Sequence, residues 1–309
     1  MKPTYYIMVG IPGSGKSTYA LTLGERIFSS DMYRELLTGD TNNQLSNDAV
    51  FKLLHKDIRE CLSSGKSCIL DATNVSRKDR RKSLEAAKGL DCITCAVVIC
   101  PPYEVCLERN RGRSRIVPDE VMDKMVRRFE FPQKFEGFDN IIVHNGWNES
   151  SNETLQKLEL LMIGFNQHNP HHKYTLSEHC QRVANQFDIN TVEYTAGFFH
   201  DIGKLVTKRF DDQGVAHYYN HDSIGTYIVA SHLCFNSYDT EVQDNQLYML
   251  FLINYHMRAH NDFMTPKAER KYRKLFGNEW YDKLIQFGEA DRIATGTYEG
   301  RKDVRPGLN

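Results

Sequence analysis

The stretch YYIMVGIPGSGKST, residues 5–18, constrains this chain more than any other. A short, mostly apolar run leads directly into GIPGSGKST (10–18), which matches G-x-x-x-x-G-K-[ST] in full. A buried strand, a glycine-rich turn and a helix in that order make a phosphate cradle. Gly13 and Gly15 let backbone N–H groups wrap an anion, and the following helix N-terminus adds positive potential. Ser14 and Thr18 complete the binding loop. Lys16 is expected to reach the β and γ phosphates of ATP, and Ser17 to hold Mg2+.

The surrounding pattern supports that context. RIFSSD (26–31), CILDATN (68–74), CITCAVVIC (92–100) and NIIVHN (140–145) read as further strands. Helix-like segments lie near 16–24, 47–63, 77–88 and 118–129. Strands alternating with helices predict a parallel sheet with helices on both faces, and near-continuous apolar strands fit a sheet buried on both sides. After NGWNESSNE (145–153) the pattern is helical, without a convincing strand, and ten of the twelve histidines lie at or beyond residue 168. The expectation is an α/β P-loop domain over 1–150 followed by an all-α domain over 151–309.

Composition narrows the function classes. The 309 residues suggest two domains. A net charge of −1 provides no global basic field for nucleic acid, so any such site must be a local patch. The N-terminal apolar run is too short and glycine-rich for a signal peptide, and no stretch approaches a membrane span. A cytoplasmic protein without membrane contact is therefore expected. Cys92 and Cys95 form a lone CxxC without a second pair, which reads as reduced core thiols.

Three further pieces stand behind the cradle. Asp31 is expected to end the second strand in SSDMYR, at the carboxyl edge where α/β sheets bind ligands. There it can take a proton from an attacking hydroxyl; its plain alternative is a helix N-cap for MYRELL. Arg34 can clamp an acceptor phosphate. Asp71 and Asn74 end the third strand in LDATN. ERNRGRSR (108–115) offers Arg109 and Arg113, expected to share a helix face at i, i+4, where they would neutralise charge on a transferred phosphoryl group. The plain alternative for such a run is a solvated face, as RKDRRK (77–82) partly is.

The combination GIPGSGKST … SSDMYR … LDATN … RNRGR, over roughly residues 4–146, resembles the 5′-hydroxyl polynucleotide kinases of nucleic-acid repair systems. The resemblance implies Asp31 as general base for the 5′-OH and Arg34 on the acceptor's phosphate. It implies Arg109 and Arg113 as lid arginines and Asp71 as an acceptor contact or a residue behind one.

In the second half, FFHDIGK (198–204) places His200 beside Asp201. Both reach one metal only near a helix end, with partners from other helices: His179, His221, His256 and Asp291 are the candidates. Imidazoles with carboxylates suit Mn2+, Fe2+, Co2+, Ni2+ or Zn2+ alike. The order H … HDIGK … NHDSIG … H … EADR, over roughly 160–300, resembles the HD phosphohydrolase superfamily. That likeness implies His179, His200, Asp201 and Asp291 as ligands of one metal and His221 and His256 as ligands of a second, with Asp201 bridging. It also implies Lys204 as a phosphate contact. His172 is kept as a further phosphate contact, whereas His168 and His171 flank a turn, and Thr175 is the expected N-cap of the next helix. His217, His232 and His260 match nothing in the pattern.

Together the halves are similar to bifunctional end-healing enzymes. These phosphorylate a 5′-OH end and process a 2′,3′-cyclic, 2′- or 3′-phosphate, with RNA favoured over DNA. No KxDG ligase element is present, so sealing implies a separate ligase. Basic stretches 77–82, 109–115 and 267–274 can track phosphates; Tyr218, Tyr219, Tyr255 and Phe263 can stack on bases, although core packing is the stronger expectation for them. Two alternatives stay open: a nucleoside or small-molecule kinase fused to an HD nucleotidase, and an ATP-switched nucleic-acid-binding module with an inactive HD domain.

Overall fold

The computed structural model describes residues 2–40, 47–113, 115–145, 151–233, 235, 240–261 and 265–297; Phe263 and the side chain of His260 lie outside this description. The chain divides into two compact units, 1–151 with 226–243, and 152–225 with 244–309. The first unit thus takes a second segment beyond the single boundary near 150 expected from sequence.

In the first unit the elements run β1 (Thr4–Val9), α1 (Lys16–Thr22), β2 (Arg26–Ser29), α2 (Ser30–Thr38), α3 (Asn47–Ser63), β3 (Cys68–Asp71), α4 (Arg77–Leu84), β4 (Ile93–Ile99), α5 (Tyr103–Arg111), α6 (Asp119–Val126) and β5 (Asn140–His144). The five strands order as β2-β3-β1-β4-β5, all parallel. Strand alternation splits the core in two, as a two-sided sheet requires. Tyr5 and Ile7 pack with Leu54 and Ile58 of α3, while Met8 packs with Ala20 of α1 and Ile69 of β3. Chain order reverses direction at β1, which is flanked by β3 and β4, and the glycine-rich loop leaves the carboxyl end of that strand. This is where open α/β sheets form their ligand crevice.

The lone CxxC is resolved by the same alternation. Cys92 packs in the cluster around Tyr5 and Cys95 in the cluster around Met8. Three positions apart along an extended chain, they face opposite sides of the sheet and cannot share an ion.

The second unit is built from α7 (Ser151–Met162), α8 (Leu176–Ala184), α9 (Val192–Phe199), α10 (Lys204–Thr207), then β6 (Arg209–Phe210) and β7 (Ala216–His217), then the first part of α11 (His221–His232), most of α12 (Thr240–Asn261), α13 (Pro266–Phe276) and α14 (Asn278–Ala294). The strandless expectation is corrected by the antiparallel β6–β7 hairpin. Its turn is held by Asp211, whose Oδ1 accepts from the backbone N–H groups of Gln213 and Val215, each at 2.9 Å. Two-residue strands are too short for a period-two pattern to register.

Candidate active sites

Gly13 and Gly15 have φ of +77° and +96°. A Cβ on Gly13 would stand 2.1 Å from the Cys106 carbonyl oxygen, so the loop accepts no side chain there. The loop is pinned by Gly10 N–H to the Thr73 carbonyl (2.9 Å) and Ser14 N–H to the Ile11 carbonyl (3.2 Å). Ser14 Oγ is buried and makes no hydrogen bond.

Lys16, Ser17, Asp31, Arg34, Asp71 and Arg113 line one cleft of about 680 Å³. Burial lowers the Lys16 pKa, opposed by the nearby Asp71 carboxylate. Asp71 Oδ1 is itself buried without a hydrogen-bond partner. An empty-handed carboxylate oxygen and a desolvated ammonium lining the cleft beside a preformed loop fit a bound polyphosphate with its Mg2+.

Asp31 does not end β2. That strand stops at Ser29, and Asp31 lies in the first turn of α2, where Ser29 is the N-cap position. The helix start sets its carboxylate beside two arginines: Oδ1 accepts from Arg34 Nη1 at 2.7 Å and Arg115 Nη1 at 2.6 Å. Both bonds fall on one oxygen. Arg34 is 5% exposed, and its Nη2 donates to Asn47 Oδ1 at 2.9 Å.

The lid arginines divide differently from the expected shared face. Helix α5 ends at Arg111 with Gly112 as its C-cap, so Arg113 lies beyond the helix. Arg113 lines the cleft. Arg109 instead braces the phosphate loop, its Nη1 donating to the Ser14 carbonyl at 3.4 Å. Arg115, part of the same run but not singled out by sequence, is the arginine that holds Asp31.

Asn74, expected beside Asp71, is structural. It has φ of +46°; its Nδ2 donates to the Met8 carbonyl at 2.9 Å, and its Oδ1 accepts from Ser83 Oγ at 2.9 Å. Arg80 from the basic stretch is fully buried: it donates to the Asn74 carbonyl (3.0 Å) and bidentately to Glu136 (2.7 and 2.8 Å). This lattice fixes the β3 edge against β1.

In the second unit, the helix-end condition is met. His200 is the C-cap of α9, and Asp201 begins the turn after it. His179 lies in α8, which starts at a capping box of Thr175 and Glu178. A Cβ on Gly203 would stand 2.0 Å from the His221 carbonyl oxygen, and this close approach carries His221 to the same place. Asp201 Oδ2 lies 3.4 Å from both His179 Nε2 and His200 Nε2, while Oδ1 lies 3.0 Å from His221 Nε2 and 3.6 Å from His256 Nε2. Asp291 Oδ1 is 3.0 Å from His179 Nε2 and 3.6 Å from His200 Nε2. One carboxylate therefore stands between two sets of nitrogens.

The rings are oriented from behind. Nδ1 of His200, His221 and His256 pairs with the carbonyl of Gly197 (2.8 Å), Tyr218 (2.6 Å) and Ile253 (2.7 Å), respectively. That arrangement fixes Nε2 as the inward ligand atom. Nε2 of His179 and of His200 is buried without a geometrically sound hydrogen bond, despite its nearness to carboxylate oxygens. Burial opposes charge on His200, but Asp201, Cys180 and Asp291 outweigh it and hold the His200 pKa well above its ordinary value. Burial likewise opposes charge on Asp201, yet Lys204 and His200 hold its carboxyl well below the ordinary range. The donor set and its appetite for positive charge fit divalent cations.

Lys204 Nζ lies 2.6 Å from Asp201 Oδ2, donates to Gln167 Oε1 at 2.9 Å and lies 3.3 Å from His172 Nε2. His172 is thereby placed in the cluster, with its pKa lowered to about 3 by burial and then by Lys204. His168 is apart from it, with Nδ1 2.7 Å from Lys208 Nζ, and His171 is exposed.

Residues 6–132 match the family model described as an AAA domain. The L-seryl-tRNA(Sec) kinase of Methanococcus maripaludis is 27% identical over 145 residues, 41% of this chain and 52% of that protein. The chain spans about half the length of two of the curated relatives it matches and 16% of a third. Among solved structures, the Pnkp1/Rnl/Hen1 RNA repair complex has a chain 22% identical, with 41% of this chain and 43% of that one covered at a TM-score of 0.36. Chaetomium thermophilum Kti12 in complex with ADP-AlF3 is 18% identical, with 49% and 94% covered at a TM-score of 0.37. The first unit has a parallel sheet with a glycine-rich phosphate loop, and over that region the chain is similar to a kinase. Among the described residues no helix is long and apolar enough to cross a membrane.

Proposed function

We propose that the first unit transfers the γ-phosphate of ATP to a 5′-OH end of RNA or DNA, RNA being favoured. The observation that carries this reading is the convergence of Lys16, Ser17, Asp31, Arg34, Asp71 and Arg113 on one cleft. Asp31 takes the proton of the attacking 5′ oxygen; that oxygen bonds to the γ phosphorus, the bond to the bridging oxygen breaks, and ADP leaves. Lys16 and Arg113 offset the charge that develops, Ser17 holds Mg2+, and Arg34 and Arg115 orient Asp31. Arg109 acts on the loop rather than on the transferred phosphoryl group.

The second unit is read as an HD phosphohydrolase acting on a 2′,3′-cyclic, 2′- or 3′-terminal phosphate. His179, His200, Asp201 and Asp291 hold one divalent metal such as Mn2+, Fe2+, Co2+, Ni2+ or Zn2+; His221 and His256 with Asp201 hold a second. Such ions supply Lewis-acid polarisation of a phosphate oxygen. Lys204 and His172 contact the phosphate, and Asp201 fixes both histidine sets through its two oxygens. Together the activities would heal RNA ends in the cytoplasm for sealing by a separate ligase.

The test uses the whole protein, ATP, Mg2+, Mn2+ and a 5′-OH oligoribonucleotide bearing a 2′,3′-cyclic phosphate, followed by mass spectrometry. The expected product gains a 5′-phosphate and has its cyclic end opened or removed. Phosphorylation of free nucleosides or sugars but not of the oligonucleotide would overturn the reading.

A further inference from the structure

Asn47, Phe51 and His55 recur at four-residue intervals on α3, and all three line the cleft. Such a spacing makes one stripe along the helix, about 6 Å per step. The stripe begins beside the proposed base, because Asn47 Oδ1 accepts from Arg34, which in turn holds Asp31. One turn on lies Phe51, whose ring centroid is 5.8 Å from that of His55. His55 Nε2 is buried and makes no hydrogen bond. Burial, aided by Lys82, lowers the His55 pKa and favours a neutral ring. Phosphoryl transfer as derived above uses neither ring. Val121 and Met125 of α6, again four residues apart, line the same cleft, as do Lys82 and the exposed Arg128, whose Nη2 lies 3.7 Å from the Asp79 carboxylate.

We infer that Phe51 and His55 form a platform for the nucleobase of the acceptor's first nucleoside, with Lys82 and Arg128 taking the phosphate that follows it. This rests on the kinase reading and names what that site selects. The aromatic face lies one helical turn beyond Asn47, the partner of Arg34, in the same cleft as Asp31, where the base of a nucleoside presenting its 5′-OH to Asp31 would sit. Stacking accepts any base, and the unengaged His55 nitrogen offers one hydrogen bond to a base edge. A sugar acceptor has nothing to place there.

The experiment compares a 5′-OH oligonucleotide with a matched one lacking only its first base. Transfer kinetics and equilibrium binding by fluorescence anisotropy are measured on the wild-type protein, Phe51→Leu and His55→Gln. Phe51→Leu keeps apolar volume against the core while removing the ring. Loss of the base is expected to raise KM and Kd about tenfold in the wild type with kcat unchanged. Phe51→Leu should show the same loss on the intact acceptor and none on the abasic one, and His55→Gln a smaller loss of the same kind. Equal KM and Kd for both acceptors in the wild type, or equal losses on both in Phe51→Leu, would overturn the platform while leaving transfer itself intact. Base-dependent binding without any transfer would support the platform and sink the kinase reading. Neither binding nor transfer would contradict both.

Discussion

Arg115 Nη1 holds Asp31 Oδ1 at 2.6 Å across 84 positions of sequence. Among the described residues Asp31 makes its ion pairs on one oxygen, to Arg115 and Arg34, which leaves the other for the proton that a base takes up. Asp31→Asn is therefore expected to lower kcat by at least about a hundredfold, the lower end for a general base, with ATP affinity retained. Arg115→Ala should give a smaller loss, also in kcat. Steady-state kinetics with nucleotide-binding measurements check both. Full activity in Asp31→Asn would remove it from the chemistry.

Glu136 takes two hydrogen bonds from the fully buried Arg80, and its own side chain is 2% exposed. Removing one member of a buried ion pair leaves the other uncompensated. Glu136→Gln is expected to destabilise the first unit by about 3–5 kcal/mol, read from urea unfolding. A change below about 1 kcal/mol would mean that the guanidinium finds other partners.

Gly203 leaves no room for a methyl group: the His221 carbonyl oxygen and Gly225 nitrogen would lie 2.0 and 2.7 Å from its Cβ. Gly203→Ala must push α10 from α11, costing about 1–3 kcal/mol or more, and should lower metal content by displacing His221. Gly112, with nothing nearer than 3.7 Å, is the control. Urea unfolding and elemental analysis report the two effects separately.

His55 supplies a pH dependence with a definite sign. Its folded pKa lies below the ordinary value of 6.5, through burial first and Lys82 second. The unfolded chain takes up a proton that the folded one resists. The stabilisation is complete above pH 6.5 and declines as pH falls toward the folded value. His55→Gln should flatten that part of the stability-versus-pH curve. An unchanged slope would show that the ring is solvated.

Much of this was legible in sequence, for physical reasons. The strands of the first unit are buried on both faces and appear as apolar runs, and the phosphate loop needs glycines at fixed offsets. RIFSSD misled at its end, because Ser29 already serves as a helix N-cap and the chain turns into α2 at Ser30. ERNRGRSR announced arginines but not their division, since the helix stop at Gly112 separates a brace, Arg109, from the cleft arginine Arg113 and from Arg115 on Asp31. The histidine set was legible by order along the chain, yet its grouping around the two oxygens of Asp201 depends on distances between helices that no local pattern encodes. The Phe51–His55 stripe was invisible because i, i+4 aromatic spacing on an amphipathic helix reads as core.

The central claim is two independent sites, one per unit. The most direct test measures ATP-dependent 5′-phosphorylation and hydrolysis of a terminal phosphate side by side in folded Asp31→Asn and Asp201→Asn proteins. Asp31→Asn is expected to lose only phosphorylation, and Asp201→Asn to lose only hydrolysis, with a fall in metal content by elemental analysis. Loss of both activities in either variant, or hydrolysis that survives Asp201→Asn, would contradict the claim.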